Sequence, residues 1–170
     1  MKKILALIVM VTCFTSVSAQ KFALIDMEYV LKNIPAYERA NEQLNQVSKK
    51  WQAEVEALNT EASTKYKNFQ NEALFLSADA KKAAQEDIMQ LEKKASDLKR
   101  KYFGPEGELF KKRESLMTPI QDEIYNAVKE ISELRGYALV IDRASDTAII
   151  FGSPKIDISN EVLAKLGYAN

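Results

Sequence analysis

From Ala40 to Ala73 the chain places an apolar residue every three or four positions and contains neither glycine nor proline. The stripe is Ala40, Leu44, Val47, Trp51, Val55, Leu58, Ala62, Tyr66, Phe69 and Ala73. Its steps average about 3.67 residues, an eleven-residue rather than a seven-residue repeat, so one helix face stays turned toward a partner helix while the pair runs nearly straight or coils slightly right-handed. At ~1.5 Å per residue, a helix from Glu38 to Phe75 would be about 57 Å long, too long to lie compactly on a small sheet. Such a stripe cannot be buried within its own helix. It needs a partner.

The next segment supplies one. Beginning near Ala78, a second stripe runs through Ala84, Ile88, Leu91, Ala95, Leu98 and Tyr102, and resumes with Leu109, Leu116, Ile120, Ile124, Ala127, Ile131 and Leu134. The simplest arrangement folds the two stripes together at "FLSAD", giving an antiparallel helical hairpin. "YFGPEGELF" interrupts the second stripe. Gly104, Pro105 and Gly107 there predict a kink or local opening within one arm, preferred over an interdomain linker because apolar periodicity continues on both sides.

The two ends of the chain read differently. "FALID" (22–26), "YALVID" (137–142) and "AIIF" (148–151) are short, β-rich and apolar, and Arg143 to Thr147 can turn the chain between the last two as a hairpin. Pro154 should stop the last strand. Ser159 can then cap a short helix containing Val162, Leu163 and Leu166, which Gly167 ends. The expected class is α+β: a small β-rich body from residues 20–36 and 135–170, with 37–134 as a projecting coiled-coil hairpin whose tip lies near 76–79. Three short strands and one short helix build little core and leave sheet edges open. Self-association through Phe22, Leu24, Val140, Ile141, Ile149, Ile150 and Phe151 is the simplest remedy.

Residues 1–19 read as a secretory signal peptide: "MKK" is basic, "ILALIVMVTCFTSV" apolar, and "VSA" a small-residue end before Gln20. Thr12, Thr15 and Ser16 interrupt the run, which falls short of the roughly twenty apolar residues of a spanning helix. A lipoprotein reading would use Cys13, but Thr12 is large for the position before a lipidated cysteine. Cleavage after Ala19 would leave 22 basic and 24 acidic residues, a net charge of −2, with no cysteine and no histidine. A chain of that kind forms no disulfides and lacks the usual neutral-pH proton shuttle. Its charge argues against nucleic-acid binding. The expectation is an exported, soluble protein.

No cysteine pair, glycine-rich phosphate loop or nucleophile elbow is present, and no cofactor is called for. Asp26 and Asp142 each end an apolar strand, and a glycosidase-like carboxylate pair is conceivable. No cleft-forming sequence surrounds them, so strand-end capping or a salt bridge is the preferred reading. Lys65, Lys67, Lys81 and Lys82 outnumber Glu72 and Asp79 within residues 63–85, a local excess that reads as solvated helix faces.

The order of parts resembles the Skp/OmpH family of periplasmic chaperones: an exported leader, "FALIDMEYVL", long charged helices, "GYALVIDRAS" and "DISNEVLAKL". The resemblance spans roughly residues 22–168 and rests on order and spacing rather than on one sharp motif. It implies a homotrimer in which Phe22–Asp26, Tyr137–Asp142 and Ala148–Phe151 form the trimerising body and Glu38–Leu134 the tentacle. It also implies ATP-independent holding of unfolded outer-membrane or other exported proteins. The best-known members are strongly basic, with tentacles suited to lipopolysaccharide, whereas this chain is slightly acidic, so no lipopolysaccharide contact is assigned.

Holding an unfolded client requires adaptable, reachable apolar surface. Leu74, Phe75, Leu76 and Met89 are candidates near the tip, with Trp51, Tyr66, Phe69 and Tyr102 inside the arms. Trp51, Tyr66 and Phe69 fall on the stripe, where helix–helix packing is the commoner role. Leu74, Phe75 and Leu76 point in different directions around a helix, so at least one should be exposed as a first contact; the alternative is an apolar cap that seals the tip. An envelope structural or adaptor protein using the arm as a spacer is the competing functional class.

Overall fold

The structure, a computed structural model, describes residues 20–145 and 149–168. The expected signal peptide, and Asp146, Thr147 and Ala148 of the expected turn and third strand, lie outside them. The chain divides into two compact units, Ile34–Asp122 and the residues on either side of that segment.

In the central unit, α2 spans Pro35–Glu72 and α3 spans Ala78–Phe103. Pro35 begins α2, where its missing N–H costs no hydrogen bond. A turn over Ala73–Ser77 reverses the chain, and Ser77 starts α3 by accepting a hydrogen bond from the Ala80 N–H at 3.3 Å. Trp51 stacks on Tyr102 while Lys65 pairs with Asp87. Fourteen residues forward along α2 thus match fifteen back along α3, so the helices are antiparallel. The stripes face inward over part of their length, and the expectation fails at Tyr66, which is 50% exposed. Ala40, Leu44, Val55 and Ala62 are buried on α2, and Ile88 and Ala95 on α3.

Helix α3 stops at Phe103 and α4 begins at Glu108, so the glycine-rich break is a tight turn between two helices. The Gly104 N–H donates to the Arg100 carbonyl and the Gly107 N–H to the Gly104 carbonyl, both at 2.9 Å. A side chain at Gly107 would lie 2.7 Å from the Tyr102 carbonyl oxygen, which is why that position takes glycine. Helix α4 runs to Arg135, burying Ile120, Ile124, Ala127 and Ile131. The expected stripe fails at its end: Leu134 is 83% exposed, because no described segment covers the last turn of α4 on that side.

The other unit is built on a two-stranded parallel sheet, β1 (Lys21–Ile25) against β2 (Tyr137–Asp142). Phe22 pairs with Leu139, Leu24 with Ile141 and Ile25 with Asp142. Two helices complete it: α1 (Met27–Lys32) after β1, and α5 (Ser159–Lys165) after a 3-10 turn over Pro154–Ile156. Ala23, Ile25, Val30, Ile124, Ile158, Val162 and Leu163 form the core. Gly167, at φ +83°, ends α5 as expected.

Three expectations are corrected here. Ile149, Ile150 and Phe151 form no strand and no hairpin with β2; β2 pairs instead with β1, and the free edge of β1 meets Asp157. Ser159 does not cap α5 but is its first residue, with Ile158 at the cap position. Its hydroxyl is drawn into a buried network described below. Finally, α1 was not expected, although its signal is present in Asp26, whose carboxylate accepts the Tyr29 N–H at 2.8 Å.

Candidate client-binding surface

The Ala73–Ser77 turn ends one long helix and begins another within five residues, so side chains there have no neighbouring helix to lie against. Leu74 is 89% exposed and Phe75 87%, while Leu76 is half-buried. The Phe75 N–H donates to the Glu72 carbonyl at 2.8 Å, which holds the turn while its side chain stands in solvent. Two adjacent large apolar side chains thus occupy the corner, an unusual use of surface in a hairpin whose other faces are charged.

The remaining candidates separate by position. Met89 is 66% exposed on α3 and Tyr66 50% exposed on α2. Phe69 is half-buried. Trp51 and Tyr102 are occupied with each other across the hairpin, their rings parallel within 6° and 4.6 Å apart. Phe103 packs edge-on against both, and the Tyr102 hydroxyl donates to Glu54 at 2.7 Å. That hydrogen bond, with some desolvation, raises the Tyr102 phenol above its ordinary value. Phe103 was not singled out from sequence, because it lies one position off the apolar stripe.

Polar contacts between the arms are sparse. Lys65 donates to Asp87 at 2.6 Å and lies 3.4 Å from Glu61, and the hydrogen bond to Asp87 is the main cause of its raised pKa. Lys82 reaches Glu86 at 3.9 Å. Two of the four lysines of the weak basic patch are therefore already matched to carboxylates.

In the sheet unit, Asp26 and Asp142 are both engaged by backbone. Asp26 caps α1, and Asp142 accepts the Met27 N–H at 3.1 Å and the Ala144 N–H at 3.0 Å, with the Ser145 hydroxyl on its second oxygen. Burial acts to raise the Asp142 carboxyl, but the hydrogen bonds from Ser145, Met27 and Ala144 outweigh it and hold the group below its ordinary range. Arg143 bridges Asp26 at 3.1 Å and Asp157 at 3.3 Å. The Ser159 hydroxyl accepts from the Asp26 N–H at 2.8 Å and donates to Asp157 at 2.6 Å. These carboxylates tie β1, β2 and α5 together, the capping and salt-bridge role preferred from sequence.

The expected association residues divide likewise. Leu24 is buried and in contact range of Gly152, and Val140, Ile141 and Ile149 are half-buried. Phe22 is 48% exposed, Phe151 83% and Ile150 fully exposed. Leu139, the register partner of Phe22 on the same sheet face, is 51% exposed and was missed, since a two-stranded parallel pairing cannot be read from either strand alone.

A long antiparallel helix pair with its most exposed apolar residues at the turn, joined in one chain to a small parallel sheet, defines an α+β protein of the helical-hairpin type. The chain belongs to the OmpH-like outer membrane protein family, whose match covers residues 21–166. It is similar to the chaperone protein Skp of Yersinia enterocolitica, 25% identical over 153 residues that cover 89% of this chain and 88% of that one. The chaperone protein Skp of Vibrio cholerae serotype O1 is 27% identical over 150 residues, covering 86% and 83%. A crystal structure described as an OmpH-like outer membrane chaperone, from Caulobacter crescentus, shares the fold with a TM-score of 0.70 at 12% identity, covering 88% of this chain and 85% of that one. Among the described residues, no helix is long and apolar enough to cross a membrane.

Proposed function

We propose that this chain is an ATP-independent periplasmic holdase that binds unfolded outer-membrane or other exported proteins and prevents their aggregation. The observation that carries this reading is the exposure of Leu74 and Phe75 together at the hairpin turn. A spacer would gain nothing from two solvated apolar side chains at that point, whereas an unfolded chain offers complementary apolar segments. Family membership and the chaperone names of the two relatives support it.

The working form is a homotrimer. The undersized sheet unit supports self-association, with Phe22 and Leu139 half-exposed on one sheet face and Ile150 and Phe151 largely uncovered, and the resemblance to the Skp/OmpH family supplies the number three. Several hairpins contacting one client would gain affinity by multivalency, so each contact can be weak and broad. Residues 1–19 act as a signal peptide in this reading, and Cys13 leaves with them.

The test is to dilute a denatured outer-membrane β-barrel into buffer with the purified protein and no nucleotide, following light scattering. Suppressed aggregation is the expected result. Unchanged scattering at saturating protein would favour the envelope spacer.

A further inference from the structure

Burial along the α2–α3 hairpin is uneven. Between Ala62 and Ile88 no residue is buried, although that stretch contains Tyr66, Phe69, Leu74, Phe75 and Leu76. The register set by Trp51–Tyr102 and Lys65–Asp87 gives the cause. It places Ala84 opposite Phe69 and Ala80 opposite Ala73, so α3 offers the distal part of α2 only alanine methyls. Nearer the other end, Val55, Ala62, Ile88 and Ala95 are buried, and the half-buried Trp51–Tyr102–Phe103 cluster adds ring contacts across the pair. Among the described residues, two side-chain hydrogen bonds cross the pair: Tyr102 to Glu54 within the well-packed part, and Lys65 to Asp87 at the boundary. The second is part of an exposed ion pair, too weakly stabilising to hold the distal part by itself.

We propose that the distal hairpin, residues 66–86, opens as one cooperative unit while the rest of the pair stays closed, with the boundary at Lys65 and Asp87. A segment with few buried apolar contacts opens at a lower free energy than its surroundings. Once open, it uncovers Phe69 and Leu76 beside Leu74 and Phe75, enlarging the apolar surface for an unfolded polypeptide. That use rests on the holdase reading. The opening itself does not.

Amide hydrogen exchange on the purified protein without client tests the opening independently of any chaperone assay. Amides of 66–86 should exchange at least about tenfold faster than those of 44–62 and 88–102, with one shared denaturant dependence and a step at Lys65 and Asp87. Uniform protection along the pair, or protection falling smoothly toward the turn as in simple fraying, would overturn the proposal. Ala84→Leu adds apolar area opposite Phe69 and should slow distal exchange by about tenfold while leaving 44–62 unchanged. Equal slowing of both parts, or none, would also overturn it.

Discussion

Trp51 and Tyr102 lie face to face across the α2–α3 pair, 4.6 Å apart, and the Tyr102 hydroxyl extends the pairing to Glu54. The stack sits one turn from the glycine-rich break, so it fixes the end of α3 just where the backbone turns away. Tyr102→Ala should therefore lower the melting temperature by circular dichroism, and Tyr102→Phe, which keeps the stack without the hydrogen bond, should lower it less. Trp51 is the protein's single tryptophan, and its emission reports the same site. The phenol pKa is raised in the folded state, so the hydrogen bond is intact below the ordinary tyrosine value of 10.0 and breaks as pH climbs through the raised one. Tyrosinate absorbance should show the Tyr102 phenol titrating above its ordinary value, and Glu54→Gln should lower that titration.

Ile88 is the last large buried side chain of α3 before the thinly packed distal stretch, at 6% exposure. Ile88→Ala removes its packing and leaves a cavity, with a cost of about 2–4 kcal/mol read by urea denaturation. Distal exchange should speed up further, because the boundary recedes toward Ala95.

Asp142→Ala strips the acceptor from the Met27 and Ala144 amides, a loss of about 1–3 kcal/mol if those donors stay dry. The carboxyl is held below its ordinary value of 3.8, so its stabilisation is complete above that pH and disappears as pH falls through the lowered folded value. Acid unfolding of Asp142→Asn, which has no carboxyl to titrate, should show a shallower slope below about pH 4.

Leu74 and Phe75 are the two side chains to remove in testing capture, since Leu76 is partly covered. Replacing both with Ser should weaken affinity for an unfolded barrel client by about 1–3 kcal/mol per hairpin, taking ~25 cal/mol for each Å² of apolar surface that the client no longer covers. Weaker holding with an unchanged melting temperature would assign the turn to client capture. A clear fall would assign it to sealing the hairpin end.

Gly107→Ala forces a methyl within 2.7 Å of the Tyr102 carbonyl and 2.9 Å of the Gly104 nitrogen. Both neighbours are backbone and cannot swing away, so the substitution should cost about 1–3 kcal/mol and disturb Trp51 emission through the adjacent turn.

The helices were legible because their determinants are local. A stripe repeating every 3.67 residues or so names the apolar face of α2 without reference to anything else, and Pro35, Ser77, Gly104 and Gly107 mark ends and breaks by their own local preferences. The exposed corner was legible in part: three consecutive large side chains cannot share one helix face, although Leu74, Phe75 and Leu76 lie in the turn after α2 and not on a helix. Helix α1 was legible but overlooked, its cap Asp26 being read only as the end of a strand.

What sequence left open depends on pairings between distant residues. The apolar alternation of "YALVID" suits a strand equally well beside "AIIF" or beside "FALI"; only the assembled unit selects β1, by bringing together residues such as Phe22 and Leu139. Ser159 looks like a helix cap by type, yet its hydroxyl serves Asp26, 133 residues away, and that partner decides its role. Leu134 continues the stripe in sequence and is exposed in the fold, because burial belongs to whatever covers a residue and not to its spacing. Periodicity determined which faces are apolar. The tertiary structure decided which of them are covered, since covering a face requires a second segment whose register no single helix or strand encodes.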